Sequence, residues 1–60
     1  MRLETNEYEA SHGKKPRGFG LWWFEINNEY HSITGVYGAA IRQAAKIAKA
    51  AGATVVRVLP

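Results

Sequence analysis

The one long helix that this sequence encodes, over residues 36–51, has little bulk on its apolar face. Tyr37, Ala40, Ile41, Ala44, Ile47, Ala48 and Ala51 recur at three- and four-residue spacings, the period of a single helical stripe. Arg42, Lys46 and Lys49 fall on a different face. A stripe made mainly of alanine lets the helix axis come close to whatever it covers, so that surface has to supply the large side chains. Residues 21–26, Leu-Trp-Trp-Phe-Glu-Ile, are a dense β-favouring run that can do so. Strand side chains alternate, which puts Trp22, Phe24 and Ile26 on one face. The expected fold class is therefore α+β, a short sheet with one Ala-rich helix packed on one face. Thr34 is expected to cap the start of that helix, and Gly52 stands where a left-handed glycine would end it.

The flanking segments complete the order. Asn27-Asn28 suits a tight turn, because asparagine tolerates positive φ, and residues 19–34 are expected to form a β-hairpin. A two-residue turn puts Glu29, His31 and Ile33 on the face of Trp22 and Ile26. A three-residue loop would put Tyr30, Ser32 and Thr34 there instead. The first register buries Ile33 and leaves Tyr30 beside Trp23, and it is preferred for that reason. Residues 53–59 read as a last, β-branched strand. Residues 11–20, with Gly13, Pro16, Gly18 and Gly20 among Lys14, Lys15 and Arg17, read as a basic loop. The expected order is β-β-α-β, or β-β-β-α-β if the N-terminus adds a strand. Residues 1–12 would form an arm or edge strand, and 13–60 a single small domain.

Composition narrows the function. A 60-residue chain is one domain at most and buries only roughly 60% of its unfolded surface. It has no cysteine and no aspartate, five glutamates, and His12 and His31 as its only histidines. That inventory points away from an enzyme and from any bound cofactor. Glu25, Glu29 and His31 approach one another near the hairpin tip, but their spacing matches no metal motif and a hairpin tip has no walls to exclude water. The expectation there is cross-strand polar pairing, with neither catalytic nor metal-binding residues. The start lacks a signal-peptide core, and the near-apolar stretch 35–53 is interrupted by Arg42, Gln43, Lys46 and Lys49. A cytoplasmic location and no membrane partner are expected. The formal charge of +3 leans toward anionic partners.

The outward alternation on the first hairpin strand carries Leu21, Trp23 and Glu25. Carried back into the loop it adds Phe19, Arg17 and Lys15, with Lys14 beside them. Cations neutralise phosphates and aromatic faces stack on bases, so this face is a candidate nucleic-acid surface. The competing reading places Trp23 in a second small core, under the N-terminal arm or a dimer partner. The glycines of residues 13–18 lead into a strand rather than a helix, so the loop is not a phosphate-binding loop of the helix-opening kind. Arg42, Lys46 and Lys49 are a solvated helix face or one that meets an acidic partner.

The residues Arg17-Gly-Phe-Gly-Leu-Trp-Trp-Phe-Glu-Ile26, then Gly35-Val-Tyr37, then the alanine-rich helix ending at Gly52, resemble the ethylene-response-factor type of DNA-binding domain. That family has relatives in phage integrases and homing endonucleases. The resemblance implies a three-stranded antiparallel sheet on one helix that reads the major groove. It also implies Arg17, Phe19 and Glu25 as contacts, with Lys15 in place of an arginine. The chain departs from the family at Asn27, which replaces a DNA-contacting arginine, and in a third strand without the family's arginine and tryptophan. Its helix is about one turn short, and the strand over 55–59 has no counterpart in the family.

Two functions are expected. One is a small basic nucleic-acid-binding module, DNA first, acting through Lys14, Lys15, Arg17, Phe19, Trp23 and Glu25. The other is a phage- or plasmid-type accessory protein that binds a host protein complex, with Tyr8, Trp23 and Tyr30 as anchors and Arg42, Lys46 and Lys49 toward an acidic partner. Glutamates segregated from Lys14, Lys15 and Arg17 favour the first, and intermixed charges favour the second. An apolar outer face matched across a two-fold axis would make a homodimer.

Overall fold

Asn27 and Asn28 have φ of 51° and 65° in a computed structural model that describes residues 1–60, the two consecutive left-handed residues of a type I′ hairpin turn. They join β2 (Phe19–Ile26) to β3 (Glu29–Val36) in the two-residue register, with Ile26 opposite Glu29, Phe24 opposite His31 and Trp22 opposite Ile33. Around this hairpin stand β1 (Arg2–Glu4), α1 (Asn6–His12), α2 (Tyr37–Ala50) and β4 (Val55–Val58). The architecture is α+β in the order β-α-β-β-α-β, a four-stranded mixed sheet with two helices. Across the sheet the strands run β1-β4-β2-β3, with β1 parallel to β4 and both β4 and β3 antiparallel to β2.

The inward face carries the core. Trp22, Phe24 and Ile26 from β2 and Val56 and Val58 from β4 are buried against Ala40, Ala44 and Ala48 of α2. The helix lies across β2, β3 and β4, and the bulk comes from the sheet side. Ala51, expected on the same stripe, is exposed, because the helix has ended by then. The end is a Schellman motif: Gly52 at φ 70° donates its N–H to Lys49 O (3.2 Å), and Ala53 donates to Ala48 O (2.8 Å). Asn27 Nδ2 donates to Ala51 O at 2.9 Å, tying the hairpin turn to the end of the helix.

The start of α2 differs from expectation. Thr34 is not its cap: β3 continues to Val36, which stands at the N-cap in extended conformation without a capping side chain. Gly35, at φ 149°, makes this possible, in a region of backbone space that L side chains rarely enter. One orphan N–H of the helix is satisfied from elsewhere, Tyr37 N donating to Gly18 O at 2.8 Å. Trp22 Nε1 donates to Gly35 O at 2.9 Å, so the strand-to-helix junction is fastened to the core.

The N-terminal segment is more structured than an arm. Arg2–Glu4 is an edge strand, and residues 6–12 form a second helix. Tyr8 anchors α1, with its ring centroid 5.7 Å from that of Trp22 and 4.0 Å from that of His12. Tyr37 meets Trp22 edge-on from the other side at 5.0 Å.

The Tyr37 hydroxyl is buried without a hydrogen-bond partner. Burial first, then Glu9 and Tyr8 nearby, holds its pKa above the ordinary 10.0. The folded state therefore keeps the phenol proton more tightly than the unfolded chain does, and this group costs stability only as pH rises above about 10. Tyr37→Phe removes both the ionisation and an unpaired polar atom. Its urea midpoint at neutral pH is expected to equal or exceed that of the parent. Between about pH 9 and 11 it should lose less stability than the parent, as read by circular dichroism. A clear loss at neutral pH would show that the hydroxyl is satisfied.

Neither helix is long and apolar enough to cross a membrane.

Candidate nucleic-acid interface

The two adjacent tryptophans part company because β2 alternates. Trp22 is 6% exposed in the core, and Trp23, on the opposite face, is 44% exposed. Phe19 (77%) and Leu21 stand on the same outer face, and the hairpin register sets β3 residues beside them. Val36 lies opposite Phe19, Thr34 opposite Leu21, Ser32 opposite Trp23 and Tyr30 opposite Glu25. Tyr30 is 68% exposed. The helix α2 occupies the inner side, and this half of the outer face is left open, with three aromatic rings and two aliphatic side chains on it.

The other half of the outer face is a closed charge network. Arg57 on β4 pairs with Glu25 across the β2–β4 register and also with Glu7 of α1. On β1, Arg2 pairs with Glu4 at 2.6 Å. Away from that face, the Glu9 carboxylate of α1 accepts from the Thr5 hydroxyl, and Glu29, on the inner side of β3, sits 3.9 Å from His31 Nε2. Glu4, Glu7 and Glu25 are thus paired with arginines, while Glu9 meets a neutral hydroxyl and Glu29 stays largely exposed. Among the cations only Arg2 and Arg57 are engaged by carboxylates, leaving Lys14, Lys15, Arg17, Arg42, Lys46 and Lys49 uncompensated.

Three of those six lie in the loop between α1 and β2. Pro16 is buried in the middle of that loop and fixes it to the body, while Lys14, Lys15 and Arg17 around it are exposed. β2 runs past the end of β4, whose last paired residue, Val58, faces Phe24. The space beside the overhanging part of β2 is a cleft of about 410 Å³. Lys14, Arg17 and His12 line it together with Phe19, Leu21, Trp23 and Pro60, and no glutamate does.

The structure therefore brings Lys14, Arg17, Phe19 and Trp23 together, with Lys15 in the same loop but outside the cleft lining. Glu25 is not available as a free contact: its side chain is only 16% exposed and is held by Arg57. Nor does it meet Glu29 and His31, since alternation puts it on the opposite face of the sheet from them. Tyr8, Trp23, Tyr30, Arg42, Lys46 and Lys49 are not one surface. Tyr8 packs on Trp22, Trp23 and Tyr30 are outward, and the three cations are on the solvent side of α2, across the sheet from the aromatics.

Sequence reasoning missed His12, which α1 delivers to the cleft, because the helix itself was not foreseen. It also missed Arg57, although an arginine between Val56 and Val58 has to point away from the core and so onto the outer face. No family model matches the chain, and no curated protein or solved structure does either.

Proposed function

We propose that this chain is a small, non-enzymatic nucleic-acid-binding module, DNA first, that works through the outer face of β2 and the basic loop before it. The observation that supports this reading is the segregation of charge. Glu4, Glu7 and Glu25 are paired with arginines, no glutamate lines the cleft, and three cations remain without a carboxylate partner beside exposed aromatic rings. Lys14, Lys15 and Arg17 neutralise phosphates, and Phe19 and Trp23 offer their rings to bases. The resemblance to sheet-using DNA-binding domains agrees with the use of this face. The topology differs, since the third antiparallel strand here comes after the helix.

The test is binding of labelled oligonucleotides at two salt concentrations. With about three phosphates neutralised, affinity should fall roughly 20- to 40-fold between about 50 and 200 mM salt. Lys14→Ala/Lys15→Ala/Arg17→Ala should weaken binding and flatten that dependence, with circular dichroism unchanged. Absence of binding at the lower salt would sink the proposal.

A second reading, a protein partner for the accessory role, is favoured by one observation. Leu21 and Val36 are aliphatic and more than half exposed, and phosphate or bases make little use of such side chains.

A further inference from the structure

We infer that the nucleic acid this face takes is single-stranded, lying along β2 with bases splayed onto Phe19 and Trp23 and a phosphate in the cleft between Lys14 and Arg17. The inference rests on the nucleic-acid reading above and narrows it.

The spacing of the rings is the first argument. Side chains two apart on a strand share a face at about 6.8 Å, so the Phe19 and Trp23 positions, with Leu21 between them, are about 13.6 Å apart, four times the roughly 3.4 Å step of a duplex strand. Bases seated at those positions have to be unstacked from one another. A duplex does not offer this, because its base faces are covered by their neighbours and only the edges are reachable in the grooves. Exposed ring faces gain from a flat base and very little from a groove edge.

The second argument is what the face lacks. Reading base edges in the major groove takes arginine, lysine, asparagine or glutamine side chains that bond two atoms at once. The outward residues of the hairpin are Phe19, Leu21, Trp23 and Glu25 on β2, and Tyr30, Ser32, Thr34 and Val36 on β3. None is such a reader, and the only carboxylate is engaged by Arg57. Of the contacts that the resemblance implies, Arg17 and Lys15 stand in the loop before β2 and Glu25 is held by Arg57, so the hairpin itself offers no free edge-contacting side chain. The stacking residues and the phosphate-neutralising loop remain.

The cleft supplies the third. Its volume of about 410 Å³ falls in the roughly 300–1,000 Å³ range of small-ligand sites. Two cations and a histidine line it beside the aromatic row, which suits one nucleotide's phosphate with its base directed along the strand. With stacking in place of edge recognition, binding should tolerate most sequences.

A fluorescein-labelled 12-nucleotide strand of mixed sequence and the corresponding duplex, titrated at about 50 mM salt by anisotropy, decide the matter. The single strand is expected to bind at least about tenfold tighter than the duplex and to quench tryptophan emission. Trp22 also lines the cleft, so the quench is assigned to Trp23 by its loss in the Trp23 variant. Trp23→Ala should weaken single-strand binding roughly 5- to 150-fold and abolish the quench. Phe19→Ala, at a more exposed position, should weaken it in the same direction and stands in if Trp23→Ala fails to fold. Duplex binding as tight as single-strand binding, indifferent to both variants, would overturn the inference and leave the nucleic-acid reading intact. Failure of both forms to bind would overturn the two together and turn attention to a protein partner.

Discussion

Phe24→Ala should remove about half or more of the stability of this fold. Phe24 is fully buried, lies on the strand flanked by both β3 and β4, and faces α2 where the helix offers only alanines. Truncating a core phenylalanine costs about 3–5 kcal/mol, because the lost burial is joined by a cavity that the surroundings only partly fill. The whole fold, at about 0.05–0.15 kcal/mol per residue, holds roughly 3–9 kcal/mol in reserve. Alanines opposite cannot move in to close the gap, so the upper part of the truncation range applies. A thermal or urea transition followed by circular dichroism should show no cooperative step, or one shifted down by about 15 °C or more. A midpoint within about 5 °C of the parent would mean that the core rearranges far more easily than its packing indicates.

The opposite error in the same place should be nearly as damaging. Ala44 sits in the middle of α2 and is fully buried against the sheet. Ala44→Leu adds three carbons where the helix and strands are in contact, and overpacking of this kind costs about 1–3 kcal/mol and sometimes more. The sheet below presents Trp22, Phe24, Ile26, Val56 and Val58, large side chains already in place, so the helix has to lift as a unit. Leucine is as good a helix former as the residues around it, which separates packing from propensity. Gln43→Leu, one position along on the exposed side, is the control and should melt with the parent. The expected readout is a lowered melting midpoint together with binding of a hydrophobic dye to the loosened core. Equal midpoints for the two leucine variants would refute the close-approach account of this helix.

What was legible in the residues was whatever a short stretch determines for itself. The Asn27-Asn28 turn specifies its own register through two left-handed residues, and α2 declares itself through its period and through Gly52. The α1 helix was hidden because seven residues cannot sustain a helix by propensity. It persists through a tertiary contact, Tyr8 on Trp22, made to a residue far along the chain. Thr34 looked like a cap because it is a capping residue type just ahead of the helical period, yet the chain stays in β3 through Gly35 to Val36 before the helix begins. In the site, the alternation of Phe19, Leu21 and Trp23 was readable, and so was the basic loop. The fate of Glu25 was not, since it depends on which β4 residue the fold sets opposite it. The edge pairing of β1 with β4 lies further still from local pattern, for nothing in three residues names a partner some fifty positions away.

β4, the last of the four strands to be synthesised, is an interior one, between β1 and β2. Before residues 55–58 join the sheet, the hairpin and α2 can meet, but β1 has no neighbour and one side of β2 stays open. The sheet therefore cannot be built up progressively from its N-terminal end, as a simple meander can. It closes in a single late event, when Val56 and Val58 slide under the helix and join the first strand to the hairpin. Until β4 is in place the aromatic strand is only half enclosed. The interval before closure is when the chain is most open to chaperones, to proteases and to strand pairing with another copy of itself.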